Sequence, residues 1–219
     1  MRFKPVRDSM GRVISPGTIA FWPGERVDII GELTLVPVGP LTNIADLLRK
    51  HPDCKPWIKR IVVMGGAVRV GYNLKPPPIP EWNIKSDVKA AQAVFASGVP
   101  LVVAPLDATA NLRLEAAPRR RLWSTGTPLT NELHALYKLW DKKTPILFDP
   151  VAVALCFTEK FCTMEELRLE VDDKGVTRSV KGKPNARVAT ATRRDEFLTW
   201  YVDRIAVWPG KAATPPKRP

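Results

Sequence analysis

The sequence predicts an α/β domain: a mostly parallel central sheet with flanking helices, closed by a C-terminal β-hairpin and helix. Three observations lead there. Apolar, β-branched runs recur at residues 33–38, 60–64 and 99–105. Runs of that kind belong to strands buried on both faces, as a parallel sheet requires. Segments with one apolar face separate them, which gives a βαβα order. The chain has 219 residues, 45% of them hydrophobic and 26% charged. That composition is globular and can bury a sizeable core as one domain.

Residues 1–26 are rich in Pro, Gly and Arg, with little periodicity, and residues 1–30 read as an irregular N-terminal arm. The α/β domain is placed at 31–208. Its first strand, 33–38, is broken by Gly39-Pro40, and a helix follows at 41–51. Leu41, Ile44, Ala45 and Leu48 give that helix its apolar face, and Thr42 or Asn43 can cap it. A second strand at 60–64 ends in Gly65-Gly66, where the backbone can turn sharply. Residues 67–83 form a long loop stiffened by Lys75-Pro-Pro-Pro-Ile-Pro80. Asp87 starts a helix with Val88, Ala91, Val94 and Phe95 on one face, and the third strand follows. Helices are expected near 115–123, 129–140 and 150–157. Short strands are expected at 167–171, 176–180 and 187–191, with Asp172-Asp-Lys-Gly175 as a hairpin turn. A helix over 193–207 closes the domain, and residues 209–219 read as a disordered basic tail.

The turn after the first strand is the most informative stretch. Ligands of open α/β sheets bind outside the carboxyl ends of the strands, where this turn lies. Val36-Pro-Val-Gly-Pro-Leu-Thr-Asn-Ile-Ala45 resembles the "VPxGPLTN" strand-turn-helix of the nucleoside hydrolases, the inosine–uridine-preferring N-ribohydrolases. Further segments match in the family's order. They are Val62-Val-Met-Gly-Gly-Ala67, Glu81-Trp-Asn83 with Asp87 and Ala90-Ala91, Pro105-Leu-Asp-Ala-Thr109, and Asp149-Pro-Val-Ala-Val-Ala154. A Met-Gly-Gly alone is weak; five segments in order form a specific signal.

The resemblance implies hydrolysis of the N-glycosidic bond of ribonucleosides to ribose and free base, with a Ca²⁺ ion binding the ribose diol and a water. Asp149 matches the family's C-terminal calcium aspartate, and Val38 matches a position that binds through its backbone carbonyl. Asn73, Glu81 and Asn83 match residues that hydrogen-bond ribose hydroxyls, and Met64 matches a residue lining the sugar pocket. Four of these also have a plain structural reading: Asp149-Pro150 is an ordinary helix start, Glu81 a solvated loop acid, Asn83 a turn residue and Met64 core. Asp107, at a strand end, reads as a structural hydrogen-bonding residue.

Two departures from the family pattern stand out. Nothing in residues 1–30 resembles the aspartate-rich "DxDxGxDD" turn that supplies further calcium ligands and the water-activating aspartate; Asp8 and Asp28 stand alone. The leading βα units of the family are therefore expected to be absent, by truncation, a shifted start or divergence, leaving an N-terminally truncated form of the fold. The position before the calcium aspartate, often a histidine that protonates the leaving base, is Phe148. The catalytic residues are thus unassigned, and little hydrolysis is expected of this chain alone. The alternative is a catalytically impaired or non-catalytic relative that only binds a ribose-containing ligand.

The remaining totals set limits. The net charge is +12, with basic patches at Lys55, Lys59 and Arg60, at Arg119–Arg121, at Lys181 with Lys183, and at Lys217 with Arg218. Zinc-finger spacing, an RNP-like strand and a GXXG loop are all missing, so solvated basic faces are expected rather than a nucleic-acid partner. No apolar run is long enough to span a bilayer, and Met1-Arg-Phe-Lys-Pro5 lacks the apolar core of a secretory signal. Cys54, Cys156 and Cys162 make no disulfide framework, which suits a reducing cytoplasm. His51 and His134 lie on helices and match no site position. The expected partner is a small ribonucleoside; the oligomeric state is left open, a homo-oligomer included.

Overall fold

A computed structural model of the chain describes residues 33–141 and 144–207 in full, and the strand backbone alone at four places before residue 33. Those four strands are β1 (Val6–Arg7), β2 (Val13–Ser15), β3 (Thr18–Trp22) and β4 (Glu25–Asp28). They pair antiparallel, β1 with β2 and β3 with β4. The arm that reads as irregular therefore contains paired strands. The basic tail at 209–219 lies outside the described residues.

The main sheet begins with β5 (Leu33–Leu35), followed by α1 (Thr42–Lys50), a 3₁₀ turn over Pro52–Trp57 and β6 (Ile58–Met64). Two short helices, α2 (Trp82–Lys85) and α3 (Val88–Phe95), lead to β7 (Leu101–Ala104). Then come α4 (Leu106–Thr109), α5 (Ala116–Thr125), α6 (Pro128–Trp140) and α7 (Phe148–Leu155). The chain closes with β8 (Cys162–Val171), β9 (Thr177–Val180), β10 (Ala186–Thr192) and α8 (Arg194–Ala206).

The six strands lie in the order β5-β6-β7-β10-β8-β9. The first four run parallel; β8 is antiparallel to β10 and β9 to β8. Alternation along β6 explains the layering, because successive side chains face opposite sides of a strand. Val62 and Met64 join an apolar core with α4, α5, α7 and α8, while Ile61 and Val63 join a second core with α1 and α3. Both faces are covered, as the apolar strands require.

Several elements differ from the sequence reading. Pairing in β5 stops at Leu35, short of Val38, although Pro37 still accepts the Met64 amide at 3.0 Å. Neither Thr42 nor Asn43 caps α1: the cap position is Leu41, without a side-chain hydrogen bond. Thr42 instead donates its hydroxyl to Asp87 at 2.6 Å, tying α1 to the start of α3. Asp87 caps α3 as expected, accepting the Ala90 amide at 3.0 Å. Those bonds from Thr42 and Ala90 hold its carboxyl below the usual range. The hairpin turn at Asp172–Gly175 forms, with Gly175 at φ +79°.

Candidate active site

The parallel strands end together at Leu35, Met64 and Ala104, so their carboxyl edge is one rim. After Met64 the chain turns through Gly65-Gly66, and Gly66 adopts φ +86°, a conformation costly for any residue with a Cβ. That turn is held from both sides. The Gly66 amide donates to Glu81 at 3.1 Å, and the Gly66 carbonyl accepts from Leu106 at 2.9 Å. Just beyond, the Val68 and Arg69 amides both donate to Asp107 at 2.8 Å. Asp107 thus plays the structural part its place at a strand end suggests.

Glu81 is 2% exposed, which excludes a solvated loop acid. Its carboxylate caps α2 by accepting the Asn83 and Ile84 amides at 3.0–3.2 Å, besides the Gly66 amide. The Tyr72 hydroxyl also reaches it, at 3.3 Å. Four donors on one buried carboxylate make it a fixed anchor. Asn83, next on the helix, is buried and donates its side-chain amide to the Met64 carbonyl at 3.0 Å, with the Met64 sulfur at 3.3 Å. The Asn83 side-chain oxygen accepts no hydrogen bond among the described residues and is available to a hydroxyl donor.

Met64, Glu81 and Asn83 are therefore one hydrogen-bonded group. Asn73 is not part of it: the residue is exposed, and its side-chain oxygen accepts the Lys75 amide at 3.1 Å within its own turn. The loop residue that reaches the group is the adjacent Tyr72. Its hydroxyl accepts the Trp82 amide at 3.1 Å, and its ring meets Phe148 edge-on with centroids 6.1 Å apart. Burial, and after it the neighbouring Glu81 charge, pushes the Tyr72 hydroxyl pKa up. Sequence reading missed Tyr72; the signal available was its place in the same loop as Glu81-Trp-Asn83.

Phe148 opens α7 and packs with Val36 against the core that contains Met64 and Val151. Asp149 lies in the first turn of α7, not at its cap, which is Leu147 without a side-chain bond. The helix-start reading of Asp149 therefore holds only as a first-turn acid beside the positive end of the helix, not as its cap. The Asp149 carboxylate is exposed and has no hydrogen bond or ion pair among the described residues. Protein packed beside it still removes water, which raises its carboxyl pKa above the usual value. Val38 is 42% exposed and its carbonyl accepts no hydrogen bond among the described residues. These are hard oxygens of the kind calcium takes. Among the described residues no three His, Cys, Asp or Glu side chains group closely enough to hold a metal. The donors fit a hard cation in kind and fall short in number. His134 is stacked on Trp123, with ring centroids 4.9 Å apart.

Behind Phe148 lies a cavity of about 550 Å³ with apolar walls from Leu122, Trp123, Leu136, Tyr137 and Tyr201. The Tyr72–Phe148 contact thus links the amide-anchored polar group to an aromatic-lined hollow.

A mostly parallel sheet with this C-terminal hairpin and helix is the architecture of the nucleoside hydrolases. The purine-preferring ribonucleoside hydrolase from Gardnerella vaginalis superposes with a TM-score of 0.69 at 28% identity, over 80% of this chain and 61% of that one. A plant nucleoside hydrolase shares the fold with a TM-score of 0.70 at 23% identity, over 81% of this chain and 63% of its own. By sequence, the chain is 33% identical over 196 residues to the pyrimidine-specific ribonucleoside hydrolase RihA of Citrobacter koseri. That match covers 80% of this chain and 62% of the relative, so the chain spans about three fifths of such relatives. The model of the inosine-uridine preferring nucleoside hydrolases matches residues 18–199, and the chain belongs to that family.

Among the described residues no helix is long and apolar enough to cross a membrane. Cys54, Cys156 and Cys162 are free thiols.

Proposed function

We propose that this chain carries the ribose-recognition part of a ribonucleoside N-ribohydrolase, whose reaction releases ribose and free base. The observation that carries the reading is the Met64–Glu81–Asn83 group, which leaves one fixed, unsatisfied amide oxygen at the carboxyl edge of the sheet. In this reading Asn83 accepts a ribose hydroxyl, Met64 lines the sugar, and Glu81 holds both in place. Asn73 would need its loop to rearrange before it could touch the sugar. The Asp149 carboxylate and Val38 carbonyl would supply two of the roughly six to eight oxygens a calcium ion takes. Bound calcium would orient the ribose diol and polarise a water. The leaving base would lie against Phe148, in the aromatic-lined cavity behind it.

A second reading concerns turnover: the 219-residue chain binds ribonucleosides and hydrolyses them slowly. It is favoured by the state of the carboxylates. Glu81 and Asp107 are both engaged by backbone amides, and of the three carboxylates Asp149 alone is without a partner among the described residues. If Asp149 binds the metal, no carboxylate of this group is left to activate water, a contribution of roughly 10²–10⁴-fold. Phe148 has no proton to give the departing base. The reading extends to a cytoplasmic protein of nucleoside salvage, with which three free thiols are compatible.

The test is ribose release from inosine and uridine by the purified chain, with Ca²⁺ and with chelator, beside calorimetric binding of the same nucleosides. Calcium-dependent binding with slow release supports both readings. Fast, chelator-sensitive release would retain the first and reject the second. Absence of both binding and release would reject the first.

A further inference from the structure

We propose that a cavity at the amino edge of the sheet, opposite the candidate active site, binds a phosphate-bearing small molecule. Strands β6, β7 and β10 run parallel and begin at Ile58, Leu101 and Ala186, so residues just inside those starts share one rim. A cavity of about 600 Å³ opens there, bordered by Lys59, Arg60, Lys183 and Arg187. That volume lies in the range of small-molecule pockets, roughly 300–1,000 Å³. Two basic patches far apart in the sequence, Lys59-Arg60 and the one containing Lys183, are brought together by the fold.

The local charges do not cancel. Glu166 borders the cavity and Glu159 lies close by, and both are taken by one cation. Arg187 donates to Glu159 at 2.6–3.1 Å and to Glu166 at 3.0 Å. Lys59 and Lys183 are exposed and have no hydrogen bond or ion pair among the described residues. Arg60 donates from one guanidinium nitrogen to the Cys156 carbonyl, while its Nε–H is buried with no hydrogen-bond partner among the described residues. A buried, unsatisfied, charged donor is costly, by more than a neutral one. Lys59, Arg60 and Lys183 thus border a cavity whose two nearby carboxylates are already bound to Arg187.

The chemistry selects phosphate. A phosphate group offers several acceptor oxygens on one centre, which can take the ammonium groups of Lys59 and Lys183 at once, with the Arg60 charge beside them. A concave site of limited size suits a small molecule better than a nucleic acid, which would call for a basic stripe. The site shares no residue with the candidate active site, so it stands independently of the proposed function.

The experiment is isothermal titration of the full chain with pyrophosphate and with inorganic phosphate, in a chloride buffer of fixed ionic strength. Saturable binding at one site is expected, tighter for pyrophosphate. Lys59→Ala/Lys183→Ala should weaken it by roughly tenfold or more, since two charged donors are lost. A charge-matched control, Lys138→Ala/Lys174→Ala, should leave it unchanged. All four lysines are exposed, and circular dichroism will verify that both variants fold. Undetectable binding, or equal weakening in the two double variants, would overturn the proposal.

Discussion

The Gly66 amide donates to the Glu81 carboxylate at 3.1 Å, across fifteen residues, and that bond joins the turn after β6 to the helix that carries Asn83. The same carboxylate caps α2, so removing it frees several N–H groups in a buried place. Glu81→Ala should destabilise the chain by roughly 2–4 kcal/mol, combining a lost cap with unsatisfied buried donors. Glu81→Gln, which keeps one acceptor oxygen, should cost less. Urea unfolding gives both values; a change within ~0.5 kcal/mol for Glu81→Ala, as at an ordinary surface site, would mean the anchor is not formed.

Gly66→Ala tests the turn itself. At φ +86° an added Cβ would lie 2.8 Å from the Thr177 hydroxyl oxygen on β9. Backbone strain alone costs about 1–2 kcal/mol, and the contact adds to it. A second change, Thr177→Ala, should recover the contact part and leave the backbone part, so the two changes should be non-additive. Unaltered thermal unfolding of Gly66→Ala would contradict the geometry.

Much of this was readable in the sequence, for a physical reason. Strands β6 and β7 are apolar on both faces, so their burial is written locally. The motif order located Met64, Glu81 and Asn83. What failed was long-range. Thr42 looks like a helix cap because nothing near it in sequence announces Asp87 as its partner. Asp149 looks like a cap because Asp-Pro usually is one, and only the fold puts Leu147 there. Tyr72 passed unnoticed because its ring partner, Phe148, is distant in the chain. The first half of β8 was missed because its side chains are mostly half-buried and show no strict alternation.

Asp149 should make stability depend on pH in a distinctive direction. Its folded pKa is raised above the unfolded value by the protein packed beside it, which removes water. A raised carboxyl pKa favours the folded state fully below the unfolded pKa, and that advantage is lost as pH rises through the folded pKa. At neutral pH, in chelator, Asp149→Asn should therefore melt at or above the wild-type temperature. The gap should close as pH falls into the carboxyl range. A clear loss of stability in Asp149→Asn at neutral pH, without metal, would indicate a stabilising partner for the carboxylate.

The central claim is that Asn83 and Asp149 belong to one calcium-dependent ribonucleoside site. Calorimetric titration of the full chain with uridine and inosine, with Ca²⁺ and then with chelator, addresses it most directly. Wild type should bind at least one of them in calcium and lose the binding in chelator. Asn83→Ala and Asp149→Asn, shown to be folded by circular dichroism, should each weaken calcium-dependent binding by roughly tenfold or more, the equivalent of about 1.4 kcal/mol. Nucleoside binding that is indifferent to calcium and to both substitutions, or no binding by the folded wild type, would contradict it.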